Sequence, residues 1–196
     1  MLSKDSERKA LKEKLASLDR GFFSAEGEAA AALLSKEKIF SQTKNLLLFM
    51  SLPGEIDTSP LLRLAFSHDK KVFLPRVEEK EIRFYRILSP SGPWQKGPFG
   101  IQEPRPHQPL SGEDFPALIV VPGLAFDRRG RRLGRGRAYY DRFFAGLPDI
   151  FSAPVRFFAL GYCTSAQLVP ELPVDPWDRP MDGLCTGKEF LRLETP

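Results

Sequence analysis

Cysteine and histidine are scarce in this 196-residue chain, with two of each. Cys163 and Cys185 stand in no C-x-x-C spacing and no histidines cluster beside them, so neither a disulfide framework nor a zinc site is indicated. They read as buried thiols of a reducing compartment. Long hydrophobic runs are also missing. No apolar stretch approaches the ~20 residues needed to span a bilayer, and the opening MLSKDSERKALKEKL has no apolar signal core. The expectation is a soluble, cytoplasmic protein with no membrane partner. Internal repeats and low-complexity tracts are absent. Charge is not one-sided either: 29 Lys and Arg face 25 Asp and Glu, a net +4. That mild excess fits a small anionic ligand as well as a nucleic acid and does not separate them.

What remains is a chain that is 42% hydrophobic, long enough for one well-buried domain spanning residues 1–196 and short for two. Leu11, Leu15, Leu18 and Phe22 recur at helical spacing behind Ser6, which predicts an amphipathic helix from Ser6 to Asp19. Ser24 is placed to cap an alanine-rich helix ending near Phe40, followed by a buried strand, NLLLFM, over Asn45 to Met50. Thr58 with Pro60 starts another helix. Lys71 to Arg76 and Ile82 to Leu88 read as strands. Ser89 to Pro116, dense in proline and glycine and anchored by Trp94 and Phe99, reads as a long irregular surface connection. Then come the strand ALIVV, a short helix over Tyr140 to Leu147, a strand over Val155 to Tyr162 and a final one over Gly183 to Thr186. This alternation predicts an α/β fold, with a largely parallel central sheet and helices on both faces.

Chemistry concentrates in Arg131 to Arg142, RRLGRGRAYYDR, four residues behind ALIVVPGLAF. Gly134 and Gly136 let backbone N–H groups approach an anion, arginines supply forked donors, and a following helix adds its positive N-terminal end. A polyphosphate suits that loop, with Asp141 holding a divalent cation against it. Two plainer readings fit the same residues: a solvated turn in which Asp141 pairs with Arg137 or Arg142, and a nonspecific nucleic-acid patch. Ligands of α/β sheets sit beyond the carboxyl ends of the strands. Glu55, in the SLPGEID exit of the NLLLFM strand, is placed either to bind the amino groups of a heteroaromatic ring or to stay a solvated loop acid.

Pro122 to Arg142, PGLAFDRRGRRLGRGRAYYDR, closely resembles the signature of the 5-formyltetrahydrofolate cyclo-ligase (methenyltetrahydrofolate synthetase) family. The basic N-terminal helix, FMSLPGEIDT, FGIQEP at Phe99 to Pro104, and the tail ALGYCTSAQLVPELPVDPWDRPMDGLCT also resemble their counterparts. The resemblance implies ATP-dependent closure of 5-formyltetrahydrofolate to 5,10-methenyltetrahydrofolate with Mg²⁺. It implies ATP binding by Arg8, Lys9, Ala10, Leu11 and Lys12 and by Arg132, Leu133, Gly134, Arg135, Gly136, Arg137, Ala138, Tyr139 and Tyr140. It implies folate binding by Met50 and Glu55, with Arg135, Gly136, Arg137, Ala138 and Tyr139 shared. Mg²⁺ is expected on Asp141 and Asp182, with Asp178 as the nearest competitor, read as structural. Within that scheme Arg132 and Arg135 meet phosphate charge, Tyr139 packs the reacting centre, and Lys12 meets phosphate or the folate carboxylate.

Three positions depart from the family pattern. Arg8 and Lys12 stand where Lys and Arg are usual, exchanging a fork for a point donor at the second position. Ala138 stands where a third glycine is usual, so a positive φ there would be strained. A relative that binds but no longer turns over folate, and a basic nucleic-acid module, are the competing readings. A monomer is expected because no exposed apolar stripe is evident.

Overall fold

Alternation along the strands decides which side chains face which layer. A computed structural model describes residues 4–98, 100, 102–151, 156–173, 175 and 178–193, and of 148–151 the backbone alone. In chain order the elements are α1 (Lys4–Ala16), α2 (Arg20–Leu34), α3 (Lys38–Gln42), β1 (Asn45–Leu47), α4 (Ser59–Ser67), β2 (Lys71–Glu78), β3 (Glu81–Ile87), β4 (Trp94–Lys96), β5 (Gln102–Pro104), β6 (Ala117–Val121), β7 (Ala125–Asp127), β8 (Arg132–Leu133), α5 (Tyr139–Phe151), β9 (Phe157–Tyr162), β10 (Leu168–Val169), β11 (Gly183–Cys185) and β12 (Phe190–Arg192).

The main sheet runs β12-β11-β9-β6-β1-β2-β3. Its five inner strands are parallel and its two edge strands antiparallel. Leu46, Val72, Leu118, Val120 and Leu160 point to one face, where Ala30, Leu34, Leu61 and Ala65 of α2 and α4 cover them. Leu47, Phe73, Ile119, Val121 and Ala159 point to the other, against Tyr140, Phe143, Phe144 and Leu147 of α5. Helices therefore cover both faces. No helix among the described residues is long and apolar enough to cross a membrane.

Several boundaries differ from the sequence expectation for local reasons. Helix α2 begins at Arg20 because the Asp19 carboxylate accepts the Gly21 N–H at 2.6 Å, ahead of Ser24. It stops at Leu34, and α3 is a separate short helix. The stretch Ser89 to Pro116 is not wholly irregular. It carries the β4–β5 hairpin and then runs beside β3, where Arg86 N–H donates to the Gln108 carbonyl and Leu110 N–H to the Phe84 carbonyl. That segment covers a sheet edge that would otherwise be open. Strand β12 was not anticipated; it pairs antiparallel with β11 and closes the other edge. Phe99 and Val155 lie outside the described residues.

Strand β6 does not deliver the arginine loop straight to a helix. A small hairpin intervenes: β7 pairs antiparallel with β8 and parallel with β10. Helix α1 lies over this unit, with Leu11 packed on Ala125, Leu133 and Leu172, and Leu15 on Phe23 and Leu124. The core of the sheet thus positions the loop from below and the basic N-terminal helix from above.

Candidate active site

Beyond the carboxyl ends of β1, β2 and β6 lies a cleft of about 430 Å³, within the range usual for small-molecule sites. Its floor and one wall are the arginine loop. Two left-handed residues flank Arg137, Gly136 at φ +94° and Ala138 at φ +51°, and turn the chain into the first turn of α5. The positive φ foreseen as costly for Ala138 is therefore adopted, not avoided. Among the described residues the N–H groups of Arg135, Gly136, Arg137 and Ala138 donate to no backbone carbonyl. Together with the N-terminus of α5 they form a concave set of donors suited to an anion.

The arginines of this loop are held by acids. Arg132, whose side chain is buried, pairs with Asp141 in the first turn of α5 and donates to the Pro122 carbonyl at 3.3 Å. Asp141 therefore pairs with Arg132, not with Arg137 or Arg142. Arg135 Nε donates to Glu55 Oε1 at 2.8 Å. Glu55 sits in a Pro-Gly turn in which Gly54 takes φ +80°. The turn is closed twice, by the Glu55 N–H on the Leu52 carbonyl at 3.0 Å and by the Leu52 N–H on Glu55 Oε2 at 2.9 Å. Glu55 is 7% exposed, so the solvated-acid reading fails. Burial raises its pKa, and the Arg135 charge and the Leu52 N–H pull in the opposite direction.

From above, Arg8 Nε donates to the Gly134 carbonyl at 3.1 Å, and Lys12 also lines the cleft. Lys4 bridges Asp175 and Asp178, 2.6 Å from each, and ties α1 to the tail. Of the other expected contacts, Met50, Leu133, Gly134, Gly136, Arg137, Tyr139 and Tyr140 all line the cleft. Lys9, Ala10 and Leu11 do not; Lys9 and Ala10 are exposed, and Leu11 is buried against the β7–β8 unit. The Tyr140 hydroxyl is buried with no hydrogen-bond partner among the described residues, and burial, reinforced by the nearby Glu55 charge, drives its pKa upward.

Asp182 is the expectation the geometry corrects. It precedes β11 and lies beside Ala159, midway along β9, and it is not among the residues that line the cleft. Its Oδ2 accepts the Ala159 N–H at 2.7 Å and its carboxylate pairs with Arg179. Asp178, read as structural, instead lines the cleft together with Asp175. Lys4, Asp175 and Glu103 were not singled out from the sequence. Only Glu103 had a signal there, its place within FGIQEP.

Against known proteins, the 5-formyltetrahydrofolate cyclo-ligase family model matches residues 1–187. The chain belongs to this family. It is 33% identical to the 5-formyltetrahydrofolate cyclo-ligase of Haemophilus influenzae over 153 residues, 74% of this chain and 77% of that one. To the Escherichia coli K12 enzyme of the same name it is 31% identical over 166 residues, 82% and 87% of the two chains. The NMR structure of Aquifex aeolicus 5,10-methenyltetrahydrofolate synthetase superposes with a TM-score of 0.82 at 33% identity, covering 100% of this chain and 95% of that one. A synthetase from Mycoplasma pneumoniae shares the fold, with a TM-score of 0.69 at 19% identity over 95% and 99% of the chains. The segment from Pro122 to Arg142, which carries the resemblance, supplies nearly half of the residues that line this cleft.

Proposed function

We propose that this cleft closes 5-formyltetrahydrofolate to 5,10-methenyltetrahydrofolate while ATP is cleaved to ADP and phosphate. The observation that carries the reading is the Arg135–Glu55 pair. It joins the loop with free N–H groups to a cleft wall of Phe49, Met50, Pro75, Val77 and Ile82, apolar enough for the rings of a folate. Arg131, Arg132 and Arg135 are each paired with a carboxylate of the chain. That pairing favours a shaped phosphate site over a nucleic-acid patch, which presents unpaired charge to a backbone.

A formamide oxygen is a poor leaving group. Transfer of the γ-phosphoryl to that oxygen makes the formyl carbon electrophilic; N10 of the same folate attacks it, phosphate departs with the oxygen, and the N10 proton is lost. The chain must hold formyl oxygen and phosphorus in line, neutralise charge and exclude water. Arg132, Arg135 and the N–H groups of residues 135–138 meet phosphate charge, Lys12 and Arg8 close over it, and Tyr139 packs beside it. Among the described residues no three His, Cys, Asp or Glu side chains cluster as a metal cage. Asp141, a hard oxygen donor beside the loop, would hold Mg²⁺ against the phosphates; Asp182, whose carboxylate is taken up by the Ala159 N–H and Arg179, is not among the residues that line the cleft. When bound, Mg²⁺ would neutralise phosphate charge. The proposal includes a monomer acting in the cytoplasm.

The test is the absorbance of the methenylfolate product from purified protein given 5-formyltetrahydrofolate and Mg²⁺, with and without ATP. Product only with ATP is expected. Folded protein that forms none with ATP would overturn the reading.

A further inference from the structure

The cleft contains a second buried carboxylate that the scheme above leaves unused. Glu103 lies on β5, is 2% exposed, and lines the cleft beside Pro75, Val77 and Ile82. The fold makes room for it. A Cβ on Gly97, in the β4–β5 connection, would stand 2.3 Å from the Glu103 carboxyl carbon, so only glycine there leaves this side chain in place. The hairpin is fixed to the main sheet partly by Arg76, which donates to the Pro104 carbonyl at 3.5 Å.

A carboxylate in such surroundings is costly unless donors reach it. Among the described residues Glu103 receives one long hydrogen bond, from the Val77 N–H to Oε1 at 3.3 Å. Burial raises its pKa, which the Val77 N–H and the Arg76 charge only partly offset. Glu55 is placed differently. Both its oxygens are engaged, by Leu52 and Arg135, and it faces the phosphate loop. The wall beside Glu103, at Pro75, Val77 and Ile82, is apolar and suits a flat ring, and among the described residues the Val77 N–H is the one donor that reaches the acid.

Resting on the proposed folate reading, we infer that Glu103 is a specificity-determining residue that accepts N–H donors from the 2-amino pyrimidinone edge of the pterin. Glu55 is thereby left to hold Arg135 at the junction with ATP. A planar ring with adjacent N–H groups and a carboxylate at the end of an apolar slot satisfy each other, and a ring lacking the 2-amino group leaves the acid short of a donor.

The experiment is equilibrium binding, without ATP, of 5-formyltetrahydrofolate and of its 2-desamino-2-methyl analogue to wild type, Glu103→Leu and Glu103→Gln, with thermal unfolding as the check on folding. Wild type is expected to prefer the natural folate by about ten- to hundredfold, as for a hydrogen bond to a charged acceptor. Glu103→Leu should bring the preference close to unity, and Glu103→Gln should keep part of it. A preference that survives in folded Glu103→Leu overturns the inference, as does a wild type that binds both ligands equally. If Glu103→Leu does not fold, Glu103→Gln decides, and an unchanged preference there overturns it. A chain that binds folate without turning it over contradicts the proposed reaction and still leaves this ratio to be read. Folded wild type that binds no folate overturns both.

Discussion

Asp127 and Glu55 grip the same arginine-rich loop from opposite sides, both buried, and they are satisfied in different ways. Asp127, 0% exposed, accepts the N–H groups of Arg129, Arg131 and Leu172 and pairs with the Arg131 guanidinium. Nothing of it lines the cleft. Glu55 accepts one backbone N–H and one guanidinium, lines the cleft, and has its pKa displaced upward. A carboxylate saturated by its own fold holds a shape. One that is buried, thinly supported and open to a cavity is poised to respond to a ligand.

The sharpest way to break the comparison is to remove Asp127. Asp127→Ala strands three backbone donors and leaves Arg131 with Glu171 as its remaining carboxylate, and should cost about 3 kcal/mol or more of stability in denaturant unfolding. Next in size is the contrast between the two aspartates once assigned to Mg²⁺. Asp141→Asn should raise the Mg²⁺ concentration for half-maximal turnover about tenfold, through the loss of one carboxylate donor. Asp182→Asn should leave that concentration unchanged, because its carboxylate serves the Ala159 N–H and Arg179 outside the cleft. Smaller is Ala138→Gly, which relieves a left-handed alanine and should stabilise the fold by about 0.5–1 kcal/mol in the same unfolding assay.

The smallest effect is the pH dependence of Glu55. Its folded pKa lies above its ordinary 4.5, so the protonated form is favoured by the fold. The stability this confers is complete below the ordinary value and lost as pH rises through the displaced one. Glu55→Gln cannot ionise. Its melting temperature relative to wild type should therefore be higher at about pH 7 than at about pH 4, and a difference independent of pH would refute the displacement.

Much of this was legible in the chain, and the misses have physical causes. ALIVV and NLLLFM are apolar runs with one role open to them, and Gly136 and the Tyr-Tyr-Asp turn into α5 are local features readable in order. The cleft pairing of Arg135 with Glu55 spans 80 residues, yet both sit at strand exits, which is why a shared site was within reach. Asp182 was expected in the cleft because sequence does not say which of the tail's aspartates a strand takes up; its carboxylate is held by the Ala159 N–H and Arg179, while Asp175 and Asp178 line the cleft. Lys4 with Asp175 and Asp178 joins half-buried charges with no periodic signal. Strands β4, β5 and β12, three residues each, are too short to show alternation, so FGIQEP marked the segment of Glu103 without saying which way its side chain points.

The central claim is that Arg135 and Glu55 act as one unit linking the phosphate loop to the folate wall. A double-mutant cycle on kcat/KM with Glu55→Gln, Arg135→Ala and the pair tests it most directly. The account predicts that each single substitution loses about a hundredfold and that the double loses little more than either alone. Losses that multiply in the double variant would mean that the two residues work independently, and would contradict it.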